Sequence, residues 1–510
     1  MTQKQSTPSS PDLTQGVALK DFSGDRLVGH VGDQEVLLVR SGFEFFAIDA
    51  HCSHYHAPLI DGLVVDGGIR CPWHHACFDL RTGEASRAPA FNALACWRVE
   101  QYNGTIFVRE KLAHPASVAK LKLKATGVLE KIVIVGGGAA GFAAAEMLRR
   151  EDYRGSIVML SNEAAAPIDR PNLSKDYLAG SAPEDWMPIR PDSFYSEARI
   201  DLHLNTDVKV IDPKARTLTV AGGYTYNYDR LLLATGAEPV RLPIPGAAQL
   251  HVHVLRSLAD SRAIIAAAKN ARRAVVVGAS FIGLEVAAAL RAREIEVHVV
   301  APEQRPMERV LGPQIGDFIR ALHEERGVIF HLQDTVVAID GKRTRLKSGD
   351  VIEADIVVVG IGVQPRLGLA EKAGLAVDRG VIVNAYLESS EPGIYAAGDI
   401  ARWSDVHSGE SIKVEHWVVA QRQGQTAARN MLGAQEKFEA VPFFWSQHYD
   451  VPINYVGHAA HWDEIAIDGD VTSKDCLVRY KHKSRVLAVA SIYRDLASLQ
   501  AEFEMELVRR

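Results

Sequence analysis

Apolar residues recur in two rhythms along this chain. Between residues 17 and 109 they come in short alternating runs, such as Glu35-Val36-Leu37-Leu38-Val39 and Glu44-Phe45-Phe46-Ala47-Ile48, parted by Ser41-Gly42. Such runs read as strands, and residues 96–101 and 105–109 flank Asn103-Gly104, a pair that tolerates positive φ and so favours a two-residue hairpin turn. A small antiparallel β domain is predicted here. From residue 130 the rhythm changes to unbroken β-branched runs that lead into glycines and Ala-rich helical stretches. Lys131-Ile132-Val133-Ile134-Val135 runs into Gly136-Gly137-Gly138-Ala139-Ala140-Gly141, and Ala274-Val275-Val276-Val277 runs into Gly278-Ala279-Ser280-Phe281-Ile282-Gly283-Leu284-Glu285. Strand, glycine turn and helix in that order predict two parallel α/β units.

Each unit has the features of a dinucleotide cradle. Gly136, Gly138 and Gly141 fit G-x-G-x-x-G, with Ala140 opening the helix. Glycines there let the backbone turn tightly and approach a pyrophosphate at a helix N-terminus. The next strand, residues 157–160, should end near an acidic residue that holds a ribose, and the candidates are Glu163 and, one place earlier, Asn162. In the second copy Ser280 replaces the middle glycine between Gly278 and Gly283, placing a side chain where a phosphate approaches. Two cradles imply two dinucleotides, with FAD expected in the first and a nicotinamide in the second.

The later segments suggest that the second fold is inserted within the first. Residues 229–236 read as a strand ending in the turn Ala234-Thr235-Gly236, and residues 357–362 as the matching exit at Gly362. Residues 391–399 read as the returning strand, with Asp399 placed to accept from a ribityl chain. Beyond the second fold's Val297-His298-Val299-Val300-Ala301, Glu303 is the candidate for a ribose 2′-hydroxyl and Arg305 for a 2′-phosphate. NADH is favoured over NADPH.

The β domain brings different chemistry. Cys52-Ser53-His54 and Cys71-Pro72-Trp73-His74 offer two thiolates and two imidazoles, the ligand set of a Rieske [2Fe–2S] centre. Zinc also binds Cys and His, but structural zinc sites space them as C-x2-4-C and H-x3-5-H. Pro58 and Gly62 follow the first loop and Phe78-Asp79-Leu80-Arg81-Thr82-Gly83 the second, so this part resembles a Rieske ferredoxin. The resemblance implies a centre without the loop-bridging cystine of respiratory relatives, because Ala57 and Trp73 stand at those positions. His56 and His75 fall off the ligand spacing and are expected at the surface or behind the ligands; Cys77 and Cys96 are expected to pack as plain thiols.

Composition narrows the remainder. At 510 residues the chain has room for several domains, and its net charge of −6 suggests neither a nucleic-acid nor an anionic-membrane surface. No run approaches the roughly 18 apolar residues of a membrane span. The first dozen residues show neither an apolar signal core nor an Arg-rich pattern, so a disordered tail and a cytoplasmic location are expected. The cysteines are too few and scattered for a disulfide framework.

From about residue 130 onward the chain resembles the ferredoxin reductases of oxygenase systems, the group of putidaredoxin reductase and biphenyl dioxygenase reductase. Residues 170–175 (Arg170-Pro171-Asn172-Leu173-Ser174-Lys175), 280–285, Glu415-His416-Trp417 and Pro442-Phe443-Phe444-Trp445-Ser446 bear the likeness. With the β domain in front, the whole is similar to apoptosis-inducing-factor-like, Rieske-fused proteins. The resemblance implies a multidomain fold. An all-β Rieske [2Fe–2S] domain (15–111) follows a tail (1–14), and a linker (112–128) alternates Leu121 and Leu123 with lysines. Two nested Rossmann-like, disulfide-reductase-like domains follow, for FAD (129–245 and 363–432) and for NAD(P)H (246–362), before a C-terminal α/β domain (433–510).

It further implies that Arg170, Lys175 and Arg256 contact the flavin, that Lys175 pairs with Glu285 near its reactive nitrogen, and that Glu415, His416 and Trp417 lie beside it. Ile282 and Gly362 would join the nicotinamide side, and Trp417 and Trp445 would shield the ring edge or lie between flavin and cluster. Ile168 stands where the family often has an aromatic residue. Disulfide reductases of this fold have C-x4-C after the first glycine turn, whereas residues 142–150 contain no cysteine, so the electrons need another exit. The expected activity is hydride transfer from NADH to FAD, then single-electron transfer through the cluster to an acceptor protein: a Rieske oxygenase, a cytochrome P450 or another haem protein. The expected oligomeric state is monomer or homodimer. The rival is an NADH-binding redox sensor, which slow reoxidation would distinguish from an enzyme.

Overall fold

The computed structural model describes residues 10–22, 24–113 and 129–508. The expected linker therefore lies almost wholly outside the described residues, as does the tail up to residue 9. The chain forms two compact units, one of residues up to 113 together with the C-terminal helix, the other of residues 129–493.

In the first unit a six-stranded antiparallel sheet runs in the order Val17–Ala18, Thr105–Lys111, Cys96–Tyr102, Glu44–Asp49, Gln34–Ser41, Arg26–Val31. The run at residues 36–39 is apolar throughout because both faces of its strand are covered: Leu37 and Val39 join one core, Val36 and Leu38 another. Asn103 (φ 45°) and Gly104 (φ 74°) make the expected turn, pairing Tyr102 with Thr105. The domain starts earlier than expected, since Leu13 is fully buried and the Leu13 N–H donates to the His30 carbonyl at 3.0 Å. A second, four-stranded sheet of Leu63–Val65, Gly68–Arg70, Cys77–Asp79 and Ala85–Arg87 supports the cysteine loops.

The helix Asp495–Leu507, expected to close the C-terminal domain, groups instead with this β unit. Its Glu502, fully buried, meets His75 Nδ1 at 2.9 Å and Arg70 Nη1 at 3.4 Å, and Glu506 accepts from Arg70 at 2.7 Å and from Arg87 at 2.9 Å. The Arg70 guanidinium also lies 5.3 Å from the Phe503 ring centre. Spacing alone gave no sign that these distant residues would meet.

The second unit contains both predicted α/β folds. The first has a parallel sheet in the order Ile200–His203, Ser156–Leu160, Lys131–Val135, Arg230–Leu233, Ile394–Ala396, and the second in the order Val252–Val254, Ile356–Val359, Arg273–Val277, Glu296–Ala301, Val328–Leu332. The nesting is visible where the chain crosses out and back, because Ala237–Pro239 pairs antiparallel with Val363–Pro365. A five-stranded antiparallel sheet of Phe443–His448, Val451–Gly457, Arg485–Ile492, Asp475–His482 and Glu464–Asp470 completes the unit. Among the described residues no helix is long and apolar enough to cross a membrane.

Candidate functional site

The two cysteine loops of the β unit are built alike. In the first the Cys52 N–H donates to the Ala57 carbonyl (2.9 Å) and the His56 N–H to the Cys52 carbonyl (3.0 Å). In the second the Cys71 N–H donates to Ala76 (2.8 Å) and the His75 N–H to Cys71 (3.2 Å). Each loop turns at a histidine with φ 58°, His56 in one and His75 in the other, so both are loop-closing residues rather than ligand positions. His56 is exposed, whereas His75 is buried behind the ligands.

The donors stand in two pairs. Cys52 and Cys71 are buried and hydrogen-bonded to each other, which holds the Cys52 thiol below its ordinary value, while burial pushes Cys71 up. Backbone N–H groups of both loops also point at these sulfurs and favour thiolate there. The His54 and His74 Nδ1 atoms face each other at 3.2 Å. Burial pushes His54 down to about 3, so its imidazole is neutral and ready to ligate. Among the described residues no three Cys, His, Asp or Glu side chains converge as on a single ion. A pair of sulfurs and a pair of imidazoles fit a binuclear centre with two ligands per iron. Cys77 points its thiol at the His75 carbonyl (3.6 Å), and buried Cys96 lies in its strand.

The second unit holds a cavity of about 1080 Å³, at the upper end for small-molecule sites. Its first cradle follows from strand and helix geometry. Gly136 has φ +120°, and a Cβ there would lie 2.1 Å from the Ala234 carbonyl oxygen; a Cβ on Gly141 would lie 2.0 Å from that of Gly136. Gly138 faces open space, its nearest neighbour being Arg170 at 3.9 Å. Close packing thus requires glycine at two of these positions and leaves the third open to the approach of a bound group. Gly141→Ala is expected to disturb the fold itself, whereas Gly138→Ala folds and loses flavin; thermal melting and the flavin-to-protein ratio would separate the two.

The second cradle repeats the plan. Gly278 (φ +109°) and Gly283 leave no room for a Cβ, at 2.5 Å from the Gly360 carbonyl oxygen and 2.3 Å from that of Gly278. Ser280 donates its hydroxyl proton to the Gly360 carbonyl at 3.0 Å, so the side chain ties the turn to the neighbouring strand.

The other expected contacts gather around the same cavity. Ala140, Glu163, Arg170, Thr235, Gly236, Arg256, Asp399, Glu415, His416 and Trp417 line it beside Gly136 and Gly138; so do Ile282, Glu303 and Gly362 beside Gly278 and Ser280. Arg170 donates to Glu163 at 2.5 Å and Arg256 to Asp399 at 2.6 Å, which aims four charged groups at the first cradle. Burial pushes His416 down to about 3 and leaves its Nδ1 without a hydrogen-bond partner, an unmet polar atom on the cavity wall that a bound group would satisfy. Arg305 does not line this cavity, being held by Asp317 at 2.7 Å and Glu308 at 3.1 Å, whereas nearby Arg309 does. Ile168 is buried in the core.

At the junction of the two cradles Lys175 Nζ lies 2.8 Å from Glu285 Oε2. Sequence reasoning anticipated Lys175 but not the two serines that share Glu285 with it. Ser174 donates to Oε2 at 2.5 Å and Ser446 to Oε1 at 2.5 Å, so a carboxylate only 4 % exposed is held from three sides. Both serines belong to the motifs of the resemblance, but only the fold shows that they share one acceptor. Trp417, Phe444, Trp445 and Tyr455 close the same wall.

Paired dinucleotide cradles and a Cys2His2 cluster scaffold in one polypeptide define a flavin- and iron–sulfur-dependent oxidoreductase. Three family descriptions match in chain order: Rieske [2Fe-2S] domain over residues 16–98, pyridine nucleotide-disulphide oxidoreductase over 130–424, and reductase C-terminal over 443–503. The chain belongs to the pyridine nucleotide-disulphide oxidoreductase family, here with an N-terminal Rieske domain. It is 33 % identical to apoptosis-inducing factor 3 of Homo sapiens over 97 % of this chain and 84 % of that protein. It is 36 % identical to rhodocoxin reductase of Rhodococcus erythropolis over 71 % and 86 % respectively. Among solved structures, the covalent putidaredoxin reductase–putidaredoxin complex superposes with a TM-score of 0.72 at 32 % identity, covering 74 % of this chain and 93 % of that one.

Proposed function

We propose that this chain oxidises NADH at the large cavity and passes the electrons singly through its own Rieske centre to an acceptor protein. The observation behind this is the joint presence of the Cys52/His54/Cys71/His74 donor set and two dinucleotide cradles, without a dithiol to receive a hydride equivalent. None of the five cysteines forms a disulfide, and none lies in the helix Ala139–Arg150 after the first glycine turn. Bound FAD supplies the exchange between a two-electron hydride and single electrons.

The chain's own residues bind and orient. Backbone at Gly136 and Gly138 would hold the flavin pyrophosphate, Glu163 the ribose and Asp399 the ribityl chain. Arg170 and Arg256 fix those two carboxylates. Lys175, held by Glu285, would contact the flavin, and Trp417 and Trp445 would keep water from its edge. On the other side Gly278, Ser280, Ile282 and Gly362 seat the second dinucleotide. The acceptor is a Rieske oxygenase, a cytochrome P450 or another haem protein, met by a cytoplasmic monomer or homodimer.

Glu303 lines the cavity, where it would repel a 2′-phosphate, and Arg305 is engaged elsewhere. NADH is expected to exceed NADPH in kcat/KM by about tenfold, or ~1.4 kcal/mol; equal values would remove Glu303 from the ribose. For the function itself, NADH added anaerobically should bleach the flavin and then raise the paramagnetic signal of the reduced cluster. Bleaching with no cluster signal would sink the internal relay, and bleached protein that reoxidises slowly even with a protein acceptor would favour the redox sensor.

A further inference from the structure

Behind Glu285 runs a line of polar side chains that the mechanism above does not use. Ser446 donates to Glu285 Oε1 at 2.5 Å, and Ser446 Oγ lies 3.2 Å from His448 Nε2. His448 Nδ1 lies 3.2 Å from His323 Nε2, and His323 Nδ1 lies 3.3 Å from the Tyr449 hydroxyl. Both histidines are fully buried, whereas Tyr449 is partly exposed in the turn between Phe443–His448 and Val451–Gly457. The placement follows from element geometry. Ser446 and His448 are two apart on one strand and share a face, exposed Gln447 between them faces away, and His323 comes in from the last turn of Glu308–Glu325.

One hydrogen-bond direction satisfies every link. Because Ser446 gives its proton to the Glu285 carboxylate, its oxygen must accept from His448 Nε2–H. His448 Nδ1 is then bare and accepts from His323 Nε2–H, whose Nδ1 in turn accepts from the Tyr449 hydroxyl. Burial holds His448 down at about 3, with Lys175 adding to it, and burial also holds His323 well below its ordinary value. Both rings are therefore neutral, and a proton crosses them by a concerted shift that populates no imidazolium. Two fully buried imidazoles joined nose to tail are an uncommon way to fill a core.

We propose that Tyr449, His323, His448 and Ser446 form a proton path between bulk water and Glu285, letting that carboxylate change its protonation as negative charge enters and leaves the cavity. Inward, Tyr449 gives its proton to His323 Nδ1 and is refilled from water. His323 Nε2–H passes to His448 Nδ1, His448 Nε2–H passes to Ser446, and the Ser446 proton arrives on Glu285 Oε1. One proton enters at the surface, one reaches the carboxylate, and no electron moves. The reverse shift restores every starting tautomer and returns one proton to water. Oε2 meanwhile keeps its bonds to Lys175 and Ser174, so the carboxylate joins the cavity to the path. His323, His448 and Ser446 are positioning residues in this scheme, acting through Glu285.

The proposal rests on the cavity being the hydride-accepting flavin site, and the test separates the two. Infrared difference spectra are recorded on the anaerobic holoprotein as NADH reduces it, for the natural chain and for Glu285→Gln, His448→Gln and His323→Gln. Glutamine keeps a hydrogen bond at either histidine but cannot shift a proton between two ring nitrogens. Expected is a protonated-carboxyl band on reduction, absent in Glu285→Gln, which in the histidine variants lags flavin bleaching by roughly a hundredfold. In flavin-free protein, nitrogen NMR of labelled histidines should show His448 and His323 as Nε2–H tautomers, a result independent of turnover. Bleaching without a carboxyl band, a band that keeps pace in both histidine variants, or Nδ1–H tautomers would each overturn the path alone. No bleaching in the natural chain would overturn the parent function and the path with it.

Discussion

Replacing Cys71 with serine leaves NADH oxidation by an artificial two-electron acceptor intact and reduces delivery to a one-electron protein acceptor to background. Cys71 is one of two buried sulfurs in the cluster scaffold, hydrogen-bonded to the other and fixed by its loop's backbone bond to Ala76. A serine hydroxyl does not ionise near neutral pH and is a poor ligand for iron, so the variant should contain flavin but little iron and acid-labile sulfide. Dye reduction under NADH, iron content and the reduced-cluster signal, measured on one preparation, decide the matter. Undiminished delivery to the protein acceptor would falsify the internal relay outright.

Glu502→Ala should cost the β unit most of its stability while leaving the nucleotide unit untouched. Glu502 is fully buried and accepts from His75 and Arg70, which are themselves almost wholly buried. Its loss takes the buried carboxylate from His75 and leaves Arg70 with Glu506 alone, and breaking such a buried pair costs about 3–5 kcal/mol. For a domain of this size that predicts a fall in Tm of more than ~10 °C for the β unit. Because His75 adjoins His74 and closes the second loop, iron and sulfide content should fall with it while flavin content holds. Glu506→Ala removes a carboxylate that still has some contact with water and should cost less, although the two are not additive because they share Arg70 and Arg87. Calorimetry on the holoprotein, with iron and flavin assayed separately, checks both; an unchanged lower transition in Glu502→Ala would show that the helix is not needed there.

Much of the site was legible in short windows. Asn103-Gly104 encodes its turn because both residues tolerate positive φ, and Gly136 and Gly141 encode theirs because a side chain would strike a carbonyl oxygen 2 Å away. The spacing of Cys52, His54, Cys71 and His74 reads as two loops for the same local reason, since each loop closes on itself within six residues. Ser280 was ambiguous, because whether its hydroxyl faces a phosphate or a strand depends on Gly360, eighty residues on. Arg305 was misleading for a similar reason, as Asp317 claims it from the following helix. Leu13 looked like tail because an isolated leucine among polar residues has no periodicity to betray its burial.

The amino-acid order by itself determined the strand–glycine–helix units and the paired cysteine loops, because each is written in residues a few positions apart, and the order of the later strand segments pointed to one nucleotide fold nested in another. Tertiary structure alone decided what converges on the buried carboxylates: Glu285, expected beside Lys175, also draws in Ser174 and Ser446, and Glu502 draws together Arg70 and His75. A buried charge is stable only where opposite charges or donors converge on it, and convergence across hundreds of residues is a property of packing that no local pattern records.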